Sequence, residues 1–165
     1  KLLLSLSPRK MGKERSVRFN LVARDGAPQP QEISELTPED LARLAEQRGF
    51  IEAYLKDDAS REKYKAAAGK LGLLRALLEA HAFEPSQTWE LQSMGVVLGD
   101  AFVQELGLRW VMVKDEYGRD PALAVPGKTV LLYPLTMISK RVEAGKTVDV
   151  FELFNWTAGQ IDELQ

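Results

Sequence analysis

The sequence predicts one α+β domain, in which a small antiparallel sheet of about three strands is covered by about five helices. Apolar residues recur every three or four positions over the predicted helices and every second position over the predicted strands. The predicted order is one strand, three helices, two strands and two helices, with no internal repeat. A chain of 165 residues with 45% hydrophobic residues is long enough to fold around a single core.

The chain begins with a basic segment, residues 1–15, that we expect to be a flexible terminus before a domain spanning residues 16–165. Its cations are Lys1, Arg9, Lys10, Lys13 and Arg15. No aromatic residue is interleaved among them to stack on bases, so nucleic acid is not an expected partner. Because no initiator Met stands at the start, we expect the chain to be cut from a longer protein.

The first predicted elements are a strand, an extended connection and a helix. The stretch "SVRFNLVARDG" alternates apolar and polar residues, which is typical of a strand with one solvent-facing side. The stretch "APQPQEISEL" is predicted to be an extended connection because its prolines disfavour helix. A helix is then predicted to follow Thr37 as N-cap, with Pro38 at its first position and Asp40 as the capping-box acid.

The next two predicted helices differ in how much of their surface is apolar. The stretch "SREKYKAAAGKLGLLRALLEAHAF" carries two apolar stripes, so we predict one helix that is buried on most sides. The following helix contains Gly95 and Gly99 one turn apart, although glycine costs about 1 kcal/mol against alanine inside a helix. We therefore predict that this pair lets another backbone approach closely, and that Gly107 ends the helix.

The C-terminal third is predicted to form two strands and two helices. In "LRWVMV", Val111 and Val113 lie on one face and Trp110 and Met112 on the other, so both faces are apolar. We expect this strand to pair with "TVLLYP" at the centre of the sheet, and Trp110 to lie in the core. The helix in "PLTMISKRVEAG" is predicted to end at Gly145, and the last helix begins with a capping pattern in "DVFE".

Two Gly-Lys-Thr triplets, at 127–129 and 145–147, resemble the end of a phosphate-binding loop. That loop requires a further glycine five positions before its last glycine, and Ala122 and Lys140 occupy these places. The first triplet also precedes a predicted strand, whereas the loop must open a helix. We therefore predict two ordinary turns, no nucleotide binding and no cofactor.

The composition excludes several classes of site. There is no cysteine, so disulfides, thiolate metal sites and cysteine nucleophiles are absent. The single histidine, His81, is predicted to lie in the last turn of an apolar helix, and no G-x-S-x-G motif supplies it with a nucleophile. No apolar run approaches the ~20 residues that span a bilayer. With a net charge of −2, we expect a soluble, cytoplasmic globular protein.

Three runs in the C-terminal half stand together: "LGDAFVQELGLRWVMV", "DEYGRDPAL" and "YPLTMISKRVEAG". They resemble a bacterial family of unknown function, in which a Leu-Gly-Asp helix leads to a Trp-bearing strand. In that family a Pro-led helix ending in Lys-Arg follows the second strand. The resemblance covers about residues 93–154 and implies a fold unit, but it supplies no activity.

The first candidate for a functional surface is the acidic turn after the Trp-bearing strand. Its residues are Asp115, Glu116, Tyr117, Gly118, Arg119 and Asp120. Three carboxylates in six residues could hold a hard cation such as Mg²⁺, or act as an acid and base pair. We interpret the turn instead as a hairpin loop, in which Gly118 supplies a positive φ and Arg119 pairs with neighbouring acids.

Asp100 and the basic pair Lys140 and Arg141 are further candidates. A helical wheel places Asp100 on the solvent-facing stripe of its helix, from which it could pair with Lys140 or Arg141 or flank a cleft. Lys140 and Arg141 form a basic edge near the end of the next helix.

Two functions of different classes follow from these candidates. The favoured one is a noncatalytic binding or protein-interaction domain with an unidentified protein partner, acting through residues 115–120 and the edge at Lys140 and Arg141. The alternative is a metal-assisted hydrolase using Asp100 and the three acids of the turn, and it would require these carboxylates to converge in a cleft. In the favoured function we expect neither a metal site nor a catalytic residue.

Overall fold

The computed structural model of the chain describes residues 4–5, 18–19 and 31–164. These residues form a helix-rich α+β domain with a four-stranded antiparallel sheet, which confirms the predicted fold class. The strands are β1 (Leu4–Ser5), β2 (Arg18–Phe19), β3 (Glu32–Ser34), β4 (Arg109–Asp115), β5 (Gly118–Ala124) and β6 (Leu131–Leu132). The helices are α1 (Pro38–Glu52), α2 (Asp58–Tyr64), α3 (Ala67–Glu79), α4 (Thr88–Leu106), α5 (Leu135–Glu143) and α6 (Val150–Leu164).

The N-terminal predictions lie mostly outside the described residues. This holds for the cations of the basic terminus and for most of the first predicted strand, of which Arg18–Phe19 form β2. β2 pairs with β1 in a separate two-stranded antiparallel sheet.

The main sheet has the strand order β3-β4-β5-β6 and is antiparallel throughout. Its centre is the hairpin β4–β5, in which Asp115 lies opposite Gly118 at the tip and Arg109 lies opposite Ala124 at the base. β3 pairs with the part of β4 nearer the tip, whereas β6 pairs with the last two residues of β5. The tip and the β5–β6 connection therefore lie at opposite ends of the hairpin.

Two strands differ from the sequence-based expectation. β5 was expected to be part of a turn, yet it lies between β4 and β6, the two runs expected to pair directly. Its Gly118, Asp120 and Pro121 disfavour strand locally, and hydrogen bonding to β4 overrides that preference. β3 was expected to be an unpaired extended connection. All three of its residues are exposed, so no buried face marks it as a strand.

Helix α1 begins as its sequence predicts. The Thr37 hydroxyl accepts a hydrogen bond from the Asp40 amide at 3.1 Å, and the Asp40 carboxylate accepts one from the Thr37 amide at 3.0 Å. This reciprocal capping box leaves two amides of the first turn satisfied. On the apolar side of α1, Leu44 and Ile51 are buried whereas Leu41 is exposed.

The predicted second helix is two helices. α2 is capped by Asp57, whose side chain accepts a hydrogen bond from the Ser60 amide, and α3 begins after Ala66 in extended backbone. The chain folds back so closely there that a side chain at Gly69 would overlap the Lys63 carbonyl. α3 is also buried on one side only, through Ala67, Leu71, Leu74 and Leu77, which corrects the prediction of burial on most sides.

Helix α4 is the central helix, and its two glycines act as the sequence predicts. A Cβ at Gly95 would lie 2.5 Å from the Leu135 Cα and 2.6 Å from the Pro134 carbonyl oxygen, so α5 starts directly against this helix. A Cβ at Gly99 would overlap the Trp110 indole. Gly107 ends α4 in a left-handed conformation, with φ of 68°.

The core lies between the helices and one face of the main sheet. Its centre includes Leu74, Leu98, Phe102, Leu123 and Ile138, all fully buried. Trp110, which was predicted to lie in the core, is half-buried and packs against its edge. A smaller cluster of Val111, Val113, Ala122 and Leu131 lies on the other sheet face. Both faces of β4 are therefore apolar, as its sequence indicates.

Both Gly-Lys-Thr triplets are turns. Gly127, with φ of 71°, lies in the connection between β5 and β6, and Gly145, with φ of 74°, follows α5. In neither place does a strand lead through the triplet into a helix, which is the arrangement that a phosphate-binding loop requires.

Candidate functional site

The hairpin tip, residues 115–120, is the turn that joins β4 to β5, and residues 116–120 are exposed. The Asp115 carboxylate accepts a hydrogen bond from the Tyr117 amide at 2.8 Å, and Gly118 adopts a φ of 126° that side chains rarely tolerate. Tyr117 is 84% exposed, and Glu116 and Asp120 are exposed beside it. The tip therefore presents one aromatic ring among carboxylates on a turn fixed by its own backbone.

The hairpin tip is anchored to the start of α1 by an ion pair. Arg119 donates to both oxygens of the Asp40 carboxylate, at 3.3 and 3.0 Å, and the Asp40 side chain is buried. The hydrogen bond from Arg119, followed by the capping bond from Thr37, lowers the pKa of Asp40 from 3.8 to about 2. Arg119 thus pairs with an acid 79 residues away, and not with the acids of its own turn as predicted.

Asp100 is enclosed and does not lie on a solvent-facing stripe. Its carboxylate accepts two hydrogen bonds from the Arg48 guanidinium, one of them at 2.9 Å from Nη2, and a third from Trp110 Nε1 at 3.1 Å. Only 15% of the Asp100 side chain is exposed. Of the two roles that the sequence left open, an ion pair or a place beside a cleft, the structure shows an ion pair, but its partner is Arg48 of α1 and not Lys140 or Arg141.

Lys70 and Gln104 continue this polar contact towards the end of α2. The Lys70 ammonium donates to the Tyr64 carbonyl at 2.8 Å and to the Gln104 side-chain oxygen at 3.0 Å. The Gln104 amide in turn donates to the Lys65 carbonyl at 2.6 Å. Carbonyls at the C-terminal end of a helix lack partners within the helix, so these side chains cap α2.

We call Arg48, Tyr64, Lys70, Asp100, Gln104 and Trp110 the interhelical polar cluster. Burial lowers the pKa of Lys70, and the hydrogen bond to Asp100 raises the pKa of Arg48. Burial, followed by the negative charge of Glu52, raises the pKa of Tyr64. The Tyr64 hydroxyl is buried and makes no hydrogen bond of good geometry within the described residues. The Lys70 ammonium lies over the Tyr64 ring, 4.7 Å from its centroid.

The interhelical polar cluster connects helices and offers little reactivity. The Asp100 carboxylate already accepts two hydrogen bonds from the Arg48 guanidinium and one from the Trp110 indole, so few of its lone pairs remain available to a substrate. The Lys70 donors are directed at backbone carbonyls and at Gln104. The arrangement ties α1, the α2–α3 junction, α4 and β4 together, which is a structural function.

The acids proposed for a metal site do not converge. Among residues 31–164, no group of three histidine or acidic side chains is placed to hold a metal ion. Asp100 contacts Trp110 near the base of β4, whereas Asp115 is five residues further along the strand, about 17 Å away at the usual rise. The geometry required by the hydrolase alternative is therefore missing from the described part of the chain.

The remaining candidates lie away from these contacts. Lys140 is exposed and Arg141 is half-buried on α5, the helix that packs against α4. His81 lies beyond the end of α3 with φ of 48°, which corrects its placement in the last turn of that helix. Its amide donates to the Leu78 carbonyl and the Ala82 amide donates to the Leu77 carbonyl, so His81 occupies the left-handed position of a Schellman motif.

Sequence reasoning missed the long-range ion pairs of Asp40 and Asp100. Arg48 and Asp100 are 52 residues apart, and neither position carries a local pattern that names its partner. One signal in the sequence could have indicated that Asp100 is enclosed. Asp100 directly follows Gly99, and the close approach predicted at Gly99 places another element near this part of the helix.

Comparison with known proteins agrees with the fold. The profile of a family described as a domain of unknown function, DUF3806, matches residues 70–154. A crystal structure from Bacteroides thetaiotaomicron VPI-5482 at 1.50 Å resolution is similar with a TM-score of 0.64 and 17% identity. The similarity covers 82% of this chain and 50% of that one, so this chain spans half the length of the solved protein. At this identity the likeness shows the fold alone.

No curated protein matches this chain. In the described residues no helix is both long enough and apolar enough to cross a membrane. The family profile covers just over half of the chain and includes the helix with Gly95 and Gly99, the whole β4–β5 hairpin and α5. The chain therefore belongs to the DUF3806 family, whose members share a domain of unknown function.

Proposed function

We propose that this domain is a noncatalytic protein-interaction module that binds its partner with the hairpin tip. The observation that carries the proposal is Tyr117, a large aromatic side chain that is 84% exposed at the end of an anchored hairpin. Tyrosine is enriched among residues that dominate interface energies, because its rigid ring buries much area at a small entropic cost.

The hairpin tip is anchored, which makes it better suited to binding a partner than an exposed loop without such contacts. Arg119 holds the second strand to α1, and β3 pairs with β4 beside the tip. A surface that is ordered before binding loses less conformational entropy when a partner docks. These contacts restrict the tip before binding, which supports its use as a binding surface.

The charges at the tip define the chemistry of the partner. Asp120 is exposed near Tyr117, whereas the one cation of the turn, Arg119, is directed at Asp40. The partner surface should then be basic around a pocket that accepts an aromatic ring. Lys140 and Arg141 form a separate basic edge that could contact an acidic part of the same partner.

Site-specific photocrosslinking tests this surface. A benzoylphenylalanine at position 117 should give a crosslinked adduct of defined mass in host extract. The same group at position 128, in the exposed β5–β6 connection at the other end of the hairpin, should not. An Asp120→Lys background should reduce the adduct about tenfold by placing a cation opposite a basic partner. Equal adducts at both positions, or an adduct insensitive to Asp120→Lys, would refute the proposal.

A metal titration separates the proposal from the hydrolase alternative. If the tip held a divalent ion, binding to the folded state alone would raise the melting temperature in Mn²⁺. We expect the melting temperature to be the same with and without Mn²⁺, in the wild type and in the Asp115→Ala/Glu116→Ala double variant. A rise that is lost in the double variant would replace the interaction module with the metal-dependent enzyme.

A further inference from the structure

A second surface, remote in sequence from the hairpin tip, is a groove between α2, α3 and the start of α6. Its cavity volume is about 720 Å³, within the usual range of sites for small organic ligands. The floor and walls include Leu55, Gly72, Leu73, Ala76 and Phe151. We call this surface the cationic groove, for the charges described below.

The depth of the groove depends on a missing side chain. Gly72 lies in the middle of α3, and a Cβ built there would meet no atom within 4 Å. Glycine inside a helix costs about 1 kcal/mol against alanine, and at this position no close approach of another element requires it. The space that a side chain would fill is instead part of the groove.

All formal charge on the groove lining is positive. Lys63 and Arg75 are its charged residues, and no acid lines it within the described chain. The Arg75 guanidinium lies 4.7 Å from the centroid of the Phe151 ring, which holds this cation at the groove wall. Another groove, of about 560 Å³ at the end of α3, does not have a uniformly positive lining. It is lined by Lys146 and also by the acids Glu79 and Glu84.

We propose that the cationic groove binds a single-chain amphiphile with an anionic head, such as a medium-chain carboxylate. The alkyl chain would lie along the small and apolar side chains of α3, because burial of methylene groups there removes them from water. The head would lie between Lys63 and Arg75, where no carboxylate of the lining competes for them. The apolar floor and the positive charge of the cationic groove together favour an anionic amphiphile over a neutral or cationic one.

A groove-filling variant with a matched control tests the location. Gly72→Leu should weaken dodecanoate binding at least tenfold, because the new side chain occupies the floor of the cationic groove. Calorimetry below the micelle concentration measures this affinity. Gly159→Leu, at an exposed helical glycine of α6 that also has nothing within 4 Å, should bind as the wild type does. Both variants should melt no lower than the wild type, since leucine replaces glycine in a helix.

A second arm tests the charge. Lys63→Ala and Arg75→Ala should each weaken dodecanoate binding about threefold, as expected for exposed ion pairs, and high salt should do the same. Dodecyltrimethylammonium, which has the same chain and the opposite charge, should bind more weakly than dodecanoate. Absence of dodecanoate binding, equal binding of the two amphiphiles, or binding unaffected by Gly72→Leu would overturn the proposal. Binding of an acidic amphipathic helical peptide without dodecanoate binding would replace it with a protein-docking groove.

Discussion

At the scale of single residues, Trp110 connects the apolar core to the interhelical polar cluster. Its ring lies over Gly99 and packs against the main core, while its Nε1 donates to Asp100. The indole of this half-buried tryptophan thus contributes both apolar contact area and a hydrogen-bond donor.

Two substitutions at Trp110 separate these contributions. Trp110→Phe keeps most of the ring but removes the donor to Asp100, so we expect a loss of about 1 kcal/mol in the free energy of unfolding. Trp110→Ala also leaves a cavity, and it should cost about 3 to 5 kcal/mol. Urea denaturation of both variants measures the difference. Equal losses would mean that the hydrogen bond contributes most of the effect and that packing of the ring contributes little.

The sequence identified residues whose role is local and missed those whose role depends on distant partners. The capping box at Thr37 and Asp40, the stop at Gly107 and the close approach at Gly95 were all predictable, because short-range backbone geometry determines them. Asp100 was misplaced because a helical wheel reports which face a residue occupies. It does not report whether another helix, here with Arg48, covers that face.

At the scale of elements, the contact between α4 and α5 is a close approach of two backbones that Gly95 permits. Gly95→Ala would push its Cβ into the Leu135 backbone, which cannot rotate away as a side chain could. We expect a loss of about 2 to 3 kcal/mol from overpacking. Gly159→Ala, in open space on α6, should instead raise stability by up to about 1 kcal/mol. Thermal unfolding distinguishes the two, and similar effects at both positions would contradict the packing role.

The end of α3 offers a stabilising change. His81 adopts φ of 48°, a conformation that costs a side chain about 1 kcal/mol relative to glycine. His81→Gly should therefore raise the free energy of unfolding by about 1 kcal/mol, whereas His81→Ala should give no gain because it retains a Cβ. A stabilising His81→Ala would show instead that the imidazole itself is unfavourable.

Element boundaries were predictable where a cap or glycine marks them and not where tertiary contacts decide them. The continuous apolar pattern from Tyr64 to Leu78 gave no sign of the break between α2 and α3, which depends on the overlap avoided at Gly69. β5 was hidden because its strand character comes from pairing with β4. Its own composition indicates a turn.

At the scale of the whole molecule, the ion pair between Asp40 and Arg119 joins the first helix to the central hairpin. The pKa of Asp40 is about 2 in the folded chain against an ordinary value of 3.8, so the unfolded chain takes up this proton first as the pH falls. The stability that the pair contributes is therefore present above about pH 4 and is lost as the pH falls towards 2.

Acid unfolding measures that contribution. Between pH 6 and pH 2, Asp40→Asn should lose less stability than the wild type, by about 1 to 2 kcal/mol, because the amide does not titrate. The comparison requires urea denaturation at several pH values. Parallel pH curves for the two proteins would show that Asp40 does not contribute to the acid sensitivity.

The ion pair between Arg48 and Asp100 joins a residue outside the DUF3806 match to a residue inside it. The DUF3806 profile begins at residue 70, so Asp100 and Trp110 lie inside the matched region while Arg48 lies outside it. A fragment trimmed to the profile would retain an enclosed carboxylate without its guanidinium, and would also lack Ile51 from the core. Loss of one partner from a largely buried pair is strongly destabilising. We therefore expect a fragment of residues 70–154 of this chain to be much less stable than a fragment that also includes α1.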